Sequence, residues 1–97
     1  MKRKKRNLTA DKLRELLRYE PETGLFFWLV DRKSNKMAGK PAGSMSDGRW
    51  RITIDDESFY ANQLAWLWMT GAWPENDVDH ENGKKHDNRW GNLLRSR

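Results

Sequence analysis

Several features are missing from the sequence, and each absence excludes a class of protein. There is no cysteine, which excludes a disulfide framework and any zinc site built on thiolates. The longest apolar runs, GLFFWLV and LAWLWM, are much shorter than the roughly 20 residues of a membrane-spanning helix. The basic first residues lead into a charged segment, unlike a signal peptide. We therefore expect a cytoplasmic protein without a membrane partner.

Most of the chain also lacks a net charge, because its basic and acidic residues balance. The formal net charge is +5, and it is matched by five basic residues near the start: Lys2, Arg3, Lys4, Lys5 and Arg6. The remaining residues carry 14 basic and 14 acidic side chains and are neutral. A block of like charges stays solvated, and polyanions are its usual partners. We predict a flexible basic arm over residues 1–8 and a single domain over residues 9–97.

The rest of the chain reads as a small mixture of helices and strands. Thr9 is a suitable N-cap for an amphipathic helix over residues 9–19, and Gly71 is a suitable end for a second helix of about ten residues. Between them, the aromatic, β-favouring run LFFWLV predicts a strand. The alternation in RWRITIDDESFYA predicts a hairpin, and a loop over residues 31–47 separates the two. Most of the six tryptophans flank apolar positions, so we expect them in the core.

One polar segment, DVDHENGKKHDNRWGNL at residues 77–93, differs from everything else in the chain. It is not a calcium loop, because the positions that would need glycine and a bidentate glutamate hold Asn82 and Asn88. A zinc site without thiolates could be assembled from Asp79, His80, His86 and Asp87. The two histidines are six residues apart in a predicted loop, however, and this spacing argues against a zinc site.

Metal-assisted phosphodiester hydrolysis suits this segment better. The reaction needs a base to activate water and a divalent cation held by oxygen ligands. His80 can supply the base, and Asp79 can supply an oxygen ligand. Consecutive residues of a strand point in opposite directions, so the two side chains could serve different roles. Asn92 could form a hydrogen bond that fixes the imidazole.

At these residues the chain resembles HNH endonucleases, the ββα-metal or His-Me finger nucleases of phages and mobile elements. The resemblance lies in VDHENGKKHDNRWGNL and extends, in order, through LRELLRYEPETGLFFW, GKPAG, the hairpin and LAWLWMTGAWP. It implies an α+β fold: a small single domain with an N-terminal helix, an antiparallel hairpin or sheet, a central helix and a truncated C-terminal ββα-metal finger. The finger's helix is expected to begin near Gly91.

The resemblance also implies a role for each residue of the motif. His80 would be the general base, Asp79 a ligand of Mg²⁺ or Mn²⁺, and Asn92 the asparagine that positions the histidine. The loop between two short strands would be shaped by Asp87, Asn88 and Arg89. Besides the basic arm, the residues expected to contact the phosphate backbone of DNA are Lys84, Lys85 and Arg89.

Two departures from the family pattern favour an alternative. The family's last metal ligand would fall beyond Arg97, and Asn62 stands where the subfamily usually has histidine followed by arginine. The first hypothesis is a nuclease that nicks or cleaves DNA. The alternative is a catalytically impaired, nuclease-derived binding module, such as a phage inhibitor of a host defence nucleoprotein complex or an accessory DNA-binding protein. The third hypothesis is a soluble α+β domain whose polar loop has no chemical function.

Overall fold

The computed structural model describes residues 7–32 and 35–95. In chain order the elements are α1 (Ala10–Leu16), β1 (Leu17–Glu20), β2 (Leu25–Trp28), β3 (Ser44–Ser46), β4 (Arg49–Ile54), β5 (Glu57–Tyr60), α2 (Ala61–Thr70), β6 (Val78–His80), a 3₁₀ turn (Trp90–Asn92) and β7 (Leu93–Arg95). The strands form three antiparallel sheets, β1–β2, β3–β4–β5 and β6–β7. The predicted α+β class is confirmed. The residues of the predicted basic arm, Lys2, Arg3, Lys4, Lys5 and Arg6, lie outside the described part of the chain.

The first helix is shorter than the sequence predicted. Thr9 caps it as expected, with its hydroxyl oxygen accepting a bond from the backbone N–H of Lys12 at 3.2 Å. The helix ends at Leu16, because the next four residues pair with β2. Along β1 the buried side chains alternate with Arg18, which is exposed. The helix predicted beyond Leu16 is therefore wrong, and strand pairing decides the conformation there.

The predicted hairpin is confirmed, and a third strand joins it. Asp55 and Asp56 form the two-residue turn between β4 and β5, with positive φ angles of 50° and 67°. Turns of this kind match the natural twist of the paired strands. On its other edge β4 pairs with β3, where Ser44 faces Arg51. The prediction of a loop throughout residues 31–47 is wrong for β3, because the free edge of β4 supplies its hydrogen-bond partners.

The second helix follows the sequence prediction closely. It ends at Gly71, whose φ of 88° is left-handed and whose N–H donates to the carbonyl of Leu67 at 2.9 Å. Leu64 and Leu67 are fully buried. They belong to one hydrophobic cluster that draws residues from both helices and from all strands except β3. Within the described residues, neither helix is long and apolar enough to cross a membrane.

The tryptophans contribute to this core, as predicted. Trp28 is buried, and the other five pack against the cluster while partly exposed. Two of their indole N–H groups reach distant carbonyls: Trp68 donates to Leu17 at 3.1 Å and Trp73 donates to Leu8 at 3.0 Å. These bonds tie α2 to the start of β1, and the segment after α2 to the segment before α1.

Candidate active site

Strand β6 presents Asp79 and His80 at the surface. Val78 is buried in the core, Asp79 is exposed and His80 is half-buried, so the strand anchors one side chain and displays the next two. Strand β7 pairs with it, with His80 opposite Leu93. The two short strands predicted for the finger are thus present. The helix expected to begin near Gly91 is wrong, because Gly91 lies in a 3₁₀ turn that runs directly into β7.

The imidazole of His80 is held by Asn88. Its Nε2 lies 2.8 Å from Oδ1 of Asn88, which is 2% exposed. An amide oxygen can only accept a hydrogen bond, so Nε2 carries the proton in this bond. In the neutral ring the lone pair then lies on Nδ1. The arrangement gives a ring of fixed orientation with a basic nitrogen that is not used by Asn88.

Asn88 is itself fixed by a contact with the other end of the domain. The hydroxyl of Tyr19 donates to its backbone carbonyl at 2.6 Å, in a buried bond between residues far apart in sequence. Burial raises the pKa of Tyr19, and the negative charge of Asp87 raises it further. Tyr19 therefore stays protonated and keeps donating to the loop that carries Asn88.

Asn92 closes the loop between the two strands and does not position the ring as predicted. Its side-chain nitrogen donates to the backbone carbonyl of Asp87 at 2.8 Å and to Oδ1 of Asn82 at 3.0 Å. Its Oδ1 accepts from the backbone N–H of Asn82 at 3.1 Å. These bonds use both donor hydrogens of the amide and one of the two lone pairs of its oxygen. Asn92 thus connects Asn82 and Asp87 within the loop, and the side chain that contacts His80 is that of Asn88.

A charged pair stiffens the same loop. The guanidinium of Arg89 donates from Nε and Nη2 to the two carboxylate oxygens of Asp87, at 2.8 and 2.7 Å. Hydrogen bonds from Arg89 hold the pKa of Asp87 well below its usual range, and a bond from Asn82 adds to this effect. Because the folded-state pKa is lowered, this stabilisation is present above the ordinary aspartate pKa and is lost only in strong acid.

The three residues of this loop that are predicted to contact DNA differ in their surroundings. Lys85 lines a groove beside Asp79 and His80, and Lys84 is exposed one residue earlier. The side chain of Arg89 remains about half exposed, but one edge of its guanidinium is occupied by Asp87. A phosphate contact by any of the three stays a prediction.

The groove beside His80 has a second wall that the sequence reading missed. Arg49 from β4, Tyr60 at the end of β5 and Gln63 from α2 line it together with Asp79 and His80. The alternation in RWRITI was the available signal, because it places Arg49 on the face of β4 that points away from the buried isoleucines. That the face borders β6 depends on how the sheet packs, which alternation does not reveal.

Asn62 supports the site from inside the fold. It is 3% exposed, and its side-chain nitrogen donates to the backbone carbonyl of Val78 at 2.7 Å. The bond ties the first turn of α2 to β6, one residue before Asp79. The following residue, Gln63, is the one that lines the groove. Asn62 thus helps to position β6 and does not line the groove.

The side chains at the groove suit a cation that is bound jointly by the protein and by a substrate. They are less suited to a cation that the protein alone would hold. In the described ranges, no group of three or more histidine, cysteine, aspartate or glutamate side chains is placed to hold a metal ion. Asp79 offers one exposed carboxylate at the groove. Mg²⁺ commonly binds through one or two carboxylates together with substrate phosphate oxygens and water, and Asp79 meets this requirement.

The family comparison falls on the part of the chain that builds this site. Residues 59–95 match the model of a family described as HNH endonuclease. The matched segment begins in β5 and includes α2, β6, the loop with Asn88 and β7. No curated protein and no solved structure is similar enough to the chain to count as a match.

Proposed function

We propose that this chain, whose residues 59–95 match the model of a family described as HNH endonuclease, hydrolyses phosphodiester bonds of DNA with His80 as the general base. The observation that carries the proposal is the bond between Nε2 of His80 and the buried amide of Asn88. It leaves Nδ1 as the basic atom of a ring whose orientation is fixed. A general base must combine these two properties to take a proton from an attacking water molecule.

The proton transfer fits the hydrogen bonds of the ring in both of its states. Neutral His80 donates from Nε2 to Asn88 and accepts a proton on Nδ1. The imidazolium that results still donates from Nε2, so the bond to Asn88 persists and no rearrangement is needed. Asn88 therefore acts as a positioning residue, and Tyr19 and Asn92 keep its loop in place through the bonds described above.

Asp79 would hold a divalent cation, Mg²⁺ or Mn²⁺, together with oxygens of the bound phosphate. When bound, the cation neutralises negative charge that develops on the phosphate and on the leaving oxygen. The groove favours such a cation, since it is lined by three carboxylates, those of Asp77, Asp79 and Glu81, against the two cationic side chains of Arg49 and Lys85. A phosphodiester entering this groove would otherwise meet an excess of like charge.

A second candidate is a binding module derived from a nuclease but without efficient cleavage. It is favoured by one observation, namely that no cluster of three or more metal-binding side chains lies within the described residues. A cation held only by Asp79 and the substrate would bind weakly before the substrate arrives. Such a module could be an accessory DNA-binding protein or a phage inhibitor of a host defence nucleoprotein complex.

A plasmid-nicking assay with Mg²⁺ or Mn²⁺ separates the two candidates. We expect the natural protein to nick supercoiled DNA and His80→Ala to lose activity by about 100-fold or more, the usual contribution of a general base. His86→Ala is the matched control, because His86 is an exposed histidine of the same loop and should keep full activity. Absence of metal-dependent nicking, or equal nicking by His80→Ala, would leave the binding module as the better account.

A further inference from the structure

The outer face of the sheet β3–β4–β5 carries two arginines beside a tyrosine. Ile52 and Ile54 of β4 point into the core, so Arg49 and Arg51 lie on the opposite face. Across the ladder, Arg51 is paired with Tyr60 of β5. We call this surface, formed by Arg49, Arg51, Ser58 and Tyr60, the cationic sheet face.

The two guanidinium groups are arranged around the ring of Tyr60. The Cζ atom of Arg49 lies 3.9 Å from the ring centroid, and that of Arg51 lies 4.8 Å from it. Arg51 also donates from Nη2 to the Tyr60 hydroxyl oxygen at 3.1 Å. Attraction between a cation and an aromatic ring orients the guanidinium groups, but it does not neutralise their charge.

These charges have no carboxylate partner within the described residues. Ion pairs there involve four other arginines: Arg14, Arg18, Arg32 and Arg89. In addition, Nε of Arg51 is buried without a hydrogen-bond partner within the described residues, so the side chain has unused donor capacity. Two neighbouring cations that form no ion pair repel each other, and an anion bound between them would relieve the repulsion.

The cationic sheet face is continuous with the groove at His80. Arg49 and Tyr60 belong to the face and also line the groove that contains Asp79 and His80. We propose that the cationic sheet face binds the phosphate backbone of DNA on one side of the phosphodiester that lies at His80. The inference rests on the proposed function, and it names the surface that positions the substrate strand.

Arginine suits this role because its planar fork can donate two parallel hydrogen bonds to one phosphate. The serine hydroxyl of the face can donate a further bond. Contacts of this kind fix the register of the nucleic acid and do not read its sequence. The face would therefore increase affinity for all DNA sequences alike, and it would do so more strongly at low salt.

The test compares DNA binding by the natural protein and by Arg49→Gln/Arg51→Gln. A fluorescent duplex is titrated at several salt concentrations, with EDTA present to prevent cleavage, and Kd is read from anisotropy. Two lost phosphate contacts should weaken binding about tenfold or more and reduce the slope of log Kd against log salt by about two. Arg18→Gln is the matched control, because Arg18 also stacks on an aromatic ring, at 4.7 Å from Phe27, but belongs to β1. It should leave Kd within about twofold.

Unchanged affinity and salt slope in a folded double variant would overturn the inference. Folding is checked by the thermal unfolding transition, and Arg49→Gln alone is the second variant if the double variant does not fold. Its expected slope change is about one. Poly-glutamate of matched charge is a further probe, and binding equal to that of the duplex would overturn the choice of nucleic acid over an acidic protein.

The outcome is separable from that of the proposed function. Nicking that depends on His80, combined with binding that does not depend on the two arginines, would remove this inference and keep the nuclease. Binding that depends on the arginines, without nicking that depends on His80, would keep the inference and remove the nuclease.

Discussion

The two buried asparagines that follow β6 make different contacts at the site. Asn88 gives its side-chain oxygen to the imidazole of His80 and its backbone carbonyl to Tyr19. Asn92 forms its three side-chain hydrogen bonds with other residues of the loop. Removing Asn88 should therefore affect the ring directly, whereas removing Asn92 should affect the shape of the loop. The two effects can be distinguished by measurements on the ring.

We expect Asn88→Ala to lower kcat about 10- to 100-fold with little change in KM, which is the loss common for residues that orient a functional imidazole. Asn88→Asp keeps an acceptor oxygen and should restore part of the activity. Nitrogen NMR of His80 should show the Nε2–H tautomer in the natural protein and a loss of that preference in Asn88→Ala. Asn76→Ala, at an exposed asparagine before β6, is the control. An unchanged tautomer in Asn88→Ala would contradict the positioning role.

The contact between Asn88 and His80 could not be predicted from the sequence alone, whereas the sequence was enough to name Asp79 and His80 as candidate site residues. The Asp79-His80 pair was identified because aspartate and histidine are the residue types that the chemistry needs, and a family pattern surrounds them. Which asparagine reaches the ring depends on the path of the loop, because Asn82, Asn88 and Asn92 all follow within twelve residues. Arg49 was missed for a related reason, since it comes from a distant strand.

At the scale of elements, the sequence predicted the features that depend on neighbouring residues, namely turns and helix ends. The turn at Asp55 and Asp56 fixed the hairpin, and Gly71 fixed the end of α2. Non-local pairing determined the rest, including β1 and β3, each of which depends on a partner strand. The turn between β1 and β2 has a further consequence, because it lies against the loop of the site. The N–H of Trp90 donates to the carbonyl of Pro21 at 2.9 Å.

Gly24 in that turn tests the link between the two elements. Its φ is +79°, and a Cβ atom there would lie 2.4 Å from the backbone nitrogen of Arg89 and 2.4 Å from the carbonyl carbon of Asn88. We expect Gly24→Ala to lower the free energy of unfolding by about 2–4 kcal/mol, through backbone strain and overpacking together. The turn or the loop must move, so nicking activity should fall as well.

Gly39→Ala is the matched control for this prediction. Gly39 has a similar φ of +86°, but nothing lies within 4 Å of the Cβ position. The control therefore carries the strain without the steric overlap and should cost about 1 kcal/mol. Chemical denaturation of both variants measures the difference. Equal losses of stability in the two variants would mean that a Cβ atom at Gly24 makes no steric clash with the loop of Asn88.

At the scale of the whole molecule, the net positive charge lies in the predicted arm, and the rest of the chain is neutral. The arm, residues 2–6, accounts for the formal net charge of +5. If the arm contacts DNA, it supplies attraction over a distance, while the cationic sheet face supplies contacts beside the reacting phosphate. Both contributions release counterions from DNA, so both weaken as salt increases. They differ in what their removal should do to catalysis.

Replacing all five arm residues by glutamine should weaken DNA binding and reduce the salt slope by as much as about four units. The change should raise KM and leave kcat nearly unaltered, because residues 2–6 are far in sequence from the His80 motif and are assigned no part in proton transfer. Lys36→Gln/Lys40→Gln is the control, since both lysines are exposed and lie outside the groove and the cationic sheet face. A salt slope that is the same for the arm variant and the natural protein would show that the basic residues serve solubility, and the phosphate contacts would then have to come from the folded surface alone.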